Sequence, residues 1–359
     1  MEMREVAVVD GDGIGPEVCR AAIQVMDVAL GKKRDFDWRH VPAGAQCFLD
    51  TGVALPQSTI ETCANADAIL LGAAGLPGVL YDDGTEAGQD TTLRLRFELD
   101  LFANVRPIKL FEGVDSPLKG DPNIDYVIVR ENSEGLYAAR GAGNALRDEM
   151  VSDTMIVTRK GVERIVRQAA EICMGRNGAP LDGTRRVTIC DKSNVLRSYA
   201  FFRKVADEVL SEYPEIEVDY ALVDALSMYL VTKPDYYDVI VTENMFGDIL
   251  SDLGAATIGG LGLAGSSELG ETRGLFQASH GSAPDIAGKG IANPIATILS
   301  GASMLEWLGL RRKKTDFVEA GVGIRQAVEQ VLMEGIATTP DLGGKGTTES
   351  CVAAIVDRL

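Results

Sequence analysis

The stretch VVDGDGIGPEV, Val8 to Val18, decides how the fold is read. An apolar run, Val6 to Val9, enters it, and a helical pattern of Val18, Ala21, Ala22 and Val25 leaves it. Strand, glycine turn and helix is the setting of a dinucleotide-binding fingerprint. The spacing fails, however, because the third glycine of G-x-G-x-x-G is due at position 16, which is Pro16. Proline there suits the first turn of a helix, where a missing N–H costs nothing. Asp12 and Glu17 would also place negative charge where a pyrophosphate should sit. The fingerprint further needs an acid ending the second strand. The candidate, Asp35, precedes the next strand-like run, Phe36 to Val41, instead of following it. The loop needs another explanation than a standard Rossmann fold.

Working outward, 359 residues with 46% hydrophobic content can bury a large core and suggest about two domains. Thirty-five basic and 53 acidic residues give a formal charge of −18. With no lysine run to offset it, that charge argues against nucleic-acid and anionic-membrane partners. No apolar segment approaches the roughly 18 residues of a membrane span, and the N-terminus shows no signal-peptide pattern. Six scattered cysteines without C-x-x-C pairs read as reduced thiols in a cytoplasmic protein. With only His40 and His280, a histidine-rich metal site is excluded.

Short apolar runs alternate with longer amphipathic stretches, which is an α/β pattern. The runs are ADAILLGA ending at Ala73, DYVIVREN from Asp125, RVTICDKSN from Arg186 and YDVIVTEN from Tyr237. Gly161 to Arg176 and Tyr199 to Tyr213 are helical in period. Three of the four runs end in polar clusters, where α/β folds collect functional groups.

Asp248 and Asp252 in NMFGDILSD are spaced to share one face of a helix, where two carboxylates repel unless a cation joins them. A solvated acidic face is the plain alternative, but Phe246, Ile249, Leu250 and Leu253 make this helix apolar. An oxygen-preferring divalent ion, Mg²⁺ or Mn²⁺, would turn repulsion into attraction, with Asp224 as the natural third carboxylate. Arg106 and Arg130 follow apolar runs, and with Arg94 and Arg96 nearby they suggest a substrate with at least two carboxylates. Surface salt bridges with Glu98 and Asp100 are the competing reading. Lys192, ending a strand beside Asp191, is a candidate general base, and Tyr137 in RENSEGLY a candidate proton donor. For an isolated lysine or tyrosine, plain exposure or core packing is the commoner reading. Finally, HGSAPDIAGKGIANP, starting at His280, combines glycines with Asp285 and Asn293, and can hold an adenosine by its ribose hydroxyls and adenine edge. A plain turn explains poorly the ten glycines from Gly254 to Gly290.

Taken in order, GDGIGPEV, LFANVRP, VRENSEGLY, DKSN, FGDILSDL and HGSAPDIAGKGIANP closely resemble the β-decarboxylating dehydrogenases of the isocitrate/isopropylmalate family. The resemblance runs from Val6 to about Thr348. It implies a non-Rossmann fold of two α/β domains. Residues 1–101 and 259–359 would form the cofactor side, and residues 102–258 a central domain carrying the dimer contact and the metal and catalytic residues. It implies that Arg96, Arg106 and Arg130 bind the malate carboxylates and that Asp224, Asp248 and Asp252 hold Mg²⁺ or Mn²⁺. Lys192 would take the C2 hydroxyl proton and Tyr137 protonate C3. NAD would be held by His280, Gly281, Ser282, Ala283, Pro284, Asp285, Ile286 and Asn293. In such enzymes the residues matching Lys192 and Asp224 come from the neighbouring subunit, so a homodimer with shared sites is implied.

The same resemblance assigns the reading of the substrate's C3 group to the segment GQDTTLRL, with Thr92 and Leu93 as contacts. Leu93 matches the isopropylmalate enzymes and Thr92 does not. Asp90 would repel the third carboxylate of isocitrate, and the arginine that homoisocitrate enzymes carry at Leu93's position is missing. 3-Isopropylmalate leads, with tartrate or D-malate next, then isocitrate or homoisocitrate. A non-catalytic regulatory subunit is the reading from another class, opposed by the presence of every catalytic lysine, tyrosine and aspartate.

Overall fold

The computed structural model describes residues 4–31, 36–147 and 149–359; Asp35 lies outside the described residues. Two compact units emerge, one of Met1–Asp100, Phe111–Asp115 and Gly259–Leu359, the other of Leu101–Leu110 and Ser116–Ile258. The first unit opens with β1 (Arg4–Gly11), α1 (Gly15–Ala29), β2 (Phe36–Val41), α2 (Ala45–Thr51), α3 (Gln57–Asn65), β3 (Ala68–Ala73) and α4 (Gln89–Glu98). The second follows with β4 (Ala103–Lys109), β5 (Asp125–Glu131), a hairpin of β6 (Asn144–Leu146) and β7 (Met150–Ser152), and α5 (Arg159–Gly175). It continues through β8 (Arg186–Asp191), α6 (Arg197–Leu210), β9 (Glu217–Leu222), α7 (Val223–Thr232), β10 (Val239–Thr242) and α8 (Asn244–Thr257). The chain then returns to the first unit with β11 (Gly265–Leu269), β12 (Gly274–Ala278), α9 (Ile295–Arg312), α10 (Thr315–Met333) and α11 (Thr348–Val356).

In the first unit the strands run β2-β1-β3-β12-β11, parallel except for β11 against β12. Val6 to Val9 and Ala68 to Leu71 are buried on both faces, as covered parallel strands must be. Helix α9 is buried nearly all round, from Ile295 to Ala302, so it reads as a core helix rather than an amphipathic one. In the second unit the order is β4-β5-β10-β8-β9, with only β4 antiparallel. Parallel strands share their carboxyl ends, so Arg130, Lys192 and the start of α8 emerge along one edge. All six cysteines are free thiols, and five are buried.

The glycine loop is a packing knot. Gly11 and Gly13 have φ of 73° and 58°, which glycine adopts without strain. A Cβ on Gly11 would strike the Ala73 carbonyl oxygen, and one on Gly13 the Ser282 carbonyl oxygen. That Ser282 oxygen accepts the Ile14 N–H at 2.8 Å. Asp12, 3% exposed, accepts the backbone N–H groups of Ala45 (2.7 Å), Gln46 (2.9 Å) and Gly75 (2.7 Å). The loop's own carboxylate thus fills the kind of amide nest that binds phosphate in other folds. Pro16 lies in the first turn of α1, where the sequence reading put it.

Candidate active site

Helix α8 starts with a cap: the Glu243 carboxylate accepts the N–H groups of Met245 at 3.1 Å and Phe246 at 2.8 Å. One turn further on, Gly247 has no side chain, and a Cβ there would run into the stem of Arg130. That gap lets the Arg130 side chain lie across the helix. Its Nε and Nη2 donate to Asn244 Oδ1 at 3.0 and 2.7 Å, and its Nη1 pairs with Asp248. Arg106 reaches the same face, with its guanidinium 3.6 Å from both Asp248 and Asp252 and bonded to Ser251 Oγ. Both arginines are buried while the two aspartates are partly exposed.

Tyr137, on a short 3₁₀ turn after β5, donates its hydroxyl to Asp248 Oδ2 at 3.2 Å, and Arg130 lies over its ring. Partial burial, reinforced by the charge of Asp248, raises its pKa above the ordinary phenol value. A tyrosine so placed keeps its proton at neutral pH and can give it away. Partial burial also raises the Asp252 carboxyl, against the pull of Arg106.

Lys192 Nζ meets Asp224 Oδ1 at 2.5 Å, Asp224 lying in the first turn of α7. The lysine hydrogen bond lowers the Asp224 pKa. Within one chain this pair does not join Asp248 and Asp252: among the described residues no three His, Cys, Asp or Glu gather as a metal-ligand set. Asp248 and Asp252 are nonetheless two hard oxygen donors one turn apart. They fit a divalent ion such as Mg²⁺ or Mn²⁺ that draws its remaining oxygens from elsewhere.

In the first unit, Thr92, Leu93 and Arg96 fall on one face of α4 by their three- and four-residue spacing. Arg96 is clamped by Glu268 of β11, Nε to Oε2 at 2.8 Å and Nη2 to Oε1 at 2.7 Å. Glu268 and Asn244 were not among the expected site residues. The available signal for Glu268 was a lone acid inside the apolar-flanked strand GSSEL.

The loop from His280 is built partly on itself. Ser282 Oγ donates to the Gly75 carbonyl, and Ala283 takes a φ of 37°, strained for a residue with a side chain. Asn293 is committed inside the chain, Nδ2 to Asp341 at 2.9 Å and Oδ1 accepting the Ile295 N–H at 3.0 Å. Both bonds tie it to the start of α9 and to Asp341. Asp285 is exposed, and Ile286 packs with Ala283 and Ala287 against Ile14, Val18 and Ala292. His280 Nδ1 lies 2.9 Å from the Gly281 carbonyl, which assigns its proton there. Its Nε2 is then a buried acceptor with no partner among the described residues, and the buried Ser279 hydroxyl has none among them either. Burial lowers the His280 pKa, so the ring is neutral. Two such polar atoms, in the loop that carries the exposed Asp285, fit a nucleoside of NAD that supplies their hydrogen bonds.

The sequence profile of the isocitrate/isopropylmalate dehydrogenases matches residues 5–357. The chain is 44% identical over 358 residues to the 3-isopropylmalate/3-methylmalate dehydrogenase of Methanocaldococcus jannaschii, covering 99% of each. It is 42% identical to the 3-isopropylmalate dehydrogenase of Archaeoglobus fulgidus, covering 95% of each. The crystal structure of isocitrate dehydrogenase from Methylococcus capsulatus superposes with a TM-score of 0.86 at 39% identity, over 99% of both chains. With these likenesses the chain belongs to the isocitrate/isopropylmalate dehydrogenase family of decarboxylating dehydrogenases.

Proposed function

We propose that this enzyme oxidises 3-isopropylmalate at C2 with NAD⁺ and decarboxylates the product to 2-oxo-4-methylpentanoate and CO₂. The observation that carries the reading is the convergence of Arg106, Arg130 and Tyr137 on Asp248. Asp248 and Asp252, with Asp224 of a second copy, would hold Mg²⁺ or Mn²⁺; Asp285, Ile286 and the loop from His280 to Pro284 would hold NAD. When bound, the metal supplies a positive charge that stabilises developing oxyanions, and NAD⁺ supplies the hydride acceptor.

The chain's own residues do the rest. Arg106 and Arg130 bind the substrate carboxylates, and Arg96 contributes its charge. Lys192 of a second copy accepts the C2 hydroxyl proton as the C2 hydride departs, leaving a 2-oxo acid with a β-carboxylate. As that carboxylate leaves as CO₂, its bonding electrons become the enolate, and Tyr137 delivers a proton to C3. The separation of the Lys192–Asp224 pair from the other aspartates within one chain supports a homodimer as the working unit. The names of the relatives support the substrate. The test is NADH formation by the purified chain with Mn²⁺ across 3-isopropylmalate, 3-methylmalate, D-malate, tartrate and isocitrate. The highest kcat/KM is expected for 3-isopropylmalate. A tenfold advantage for isocitrate, D-malate or tartrate would overturn the assignment.

A further inference from the structure

Among the buried charges of the first unit, one pair ties α4 to β11. The Arg96 and Glu268 side chains are 6% and 0% exposed, joined by two parallel hydrogen bonds. Gln277 Nε2 donates a third bond to Glu268 at 2.5 Å. A buried ion pair is weak support for stability, since an apolar pair of the same volume does as well. What it does fix is charge. Because both side chains are buried, the field of Glu268 reaches whatever Arg96 binds with little screening.

We propose that Glu268 is a specificity-determining residue, which neutralises Arg96 so that the enzyme favours a hydroxy acid with two carboxylates over one with three. The proposal rests on the reading of Arg96 as a substrate ligand. It rests likewise on the reading of Thr92 and Leu93, on the same face of α4 as Arg96, as the contacts of the C3 group. At the helix start stands a second acid, Asp90, bonded by the Tyr81 hydroxyl at 2.7 Å. The guanidinium is thus paired with Glu268, and Asp90 adds a second negative charge in the first turn of the same helix. An added carboxylate on the C3 group meets a negative field, whereas an apolar branch meets none. Glu268 does not touch the reacting atoms; it acts through Arg96.

The test compares wild type with Glu268→Gln and the smaller Glu268→Asn, each freed of the charge, and Glu268→Asp, which keeps it. The kcat/KM ratio of isocitrate to 3-isopropylmalate is expected to rise at least tenfold in the two neutral variants and to stay within threefold of wild type in Glu268→Asp. A ratio unchanged within twofold in a folded neutral variant overturns the proposal. Should the neutral variants fail to fold, wild type decides: tricarballylate must inhibit at least tenfold more weakly than methylsuccinate, and equal inhibition overturns the proposal. Arg96→Lys separates this from the underlying assignment. If its KM for both substrates is unmoved, Arg96 is no substrate ligand and the reading beneath fails. If its KM rises while the neutral variants leave the ratio unmoved, the charge proposal alone fails.

Discussion

Replacing Asp12 by asparagine exchanges one carboxylate oxygen for an NH₂ group and removes one charge, with almost no change of shape. In the wild-type loop Oδ2 accepts Ala45 and Gly75 while Oδ1 accepts Gln46. The amide oxygen can keep the two shorter bonds, now neutral, but the amide nitrogen must face the Gln46 N–H. Hydrogen bonds to a charged group contribute about 1.5–3 kcal/mol, and a donor left unpaired in the interior costs about 1–3 kcal/mol. The variant should lose about 3 kcal/mol. For a unit of roughly 200 residues, at about 2–4 °C per kcal/mol, its unfolding midpoint should fall by about 6–12 °C, read by calorimetry or circular dichroism. A second readout separates the knot from a phosphate site. If Asp12 stood beside a pyrophosphate, removing its charge would tighten NAD binding; the knot predicts an unchanged or weaker affinity. A loss under about 1 kcal/mol, or tighter NAD binding, would refute the reasoning.

Further predictions follow from the site. Lys192→Met and Asp252→Asn should each lose roughly 10²–10⁴ in kcat, yet an equal mixture refolded together should recover about a quarter of the wild-type sites, because mixed dimers rebuild one site from two intact halves; no recovery despite proven mixed dimers would sink the shared site. Asp285→Lys with Ile286→Tyr should narrow or reverse a preference for NAD over NADP of roughly a hundredfold, or about 2.7 kcal/mol, read as kcat/KM with each cofactor. Comparable efficiency with both cofactors in wild type would show that Asp285 does not face the ribose. The buried Glu131 has its pKa pushed up from 4.5 to about 7, chiefly by burial. The folded state thus binds the proton more tightly than the unfolded one. Its contribution is fully present below pH 4.5 and lost as pH rises to about 7, so stability should fall over that window. Denaturant titrations of Glu131→Gln should lack that fall, and a matching decline in the variant would assign it elsewhere.

The elements were legible because their periods are strong. Phe36 to Val41 and the runs around Ala68, Asp125, Arg186 and Val239 are strands, and Gly161 and Tyr199 lie in helices, with ends shifted by a few residues. Asp248 and Asp252 were legible as a pair because helical spacing is local. Glu268 was not, since its partner lies 172 residues away and alternation along a strand does not say which acid is buried. Asn244 escaped for the same reason, as Arg130 reaches it only through the gap at Gly247. Asp12 was noticed as an obstacle to phosphate, but only the fold shows the three amides it satisfies. The bonds of Asn293 to Asp341 and to the Ile295 N–H were likewise not legible, because one partner lies 48 residues away.

The bond from Ile14 to Ser282 ties residues made early on the ribosome to residues made late. Strand β3, buried along its whole length, must likewise wait for β12 to emerge before its second edge is covered. Until then the nascent first unit presents an open apolar edge, the kind of surface that invites wrong pairing and chaperone capture. The strands of the second unit, β4 to β10, are all made before β11 and β12 and can pair with one another during synthesis. The loop beginning at His280 therefore takes its shape only when translation is well past its middle, after every strand of the second unit has been made.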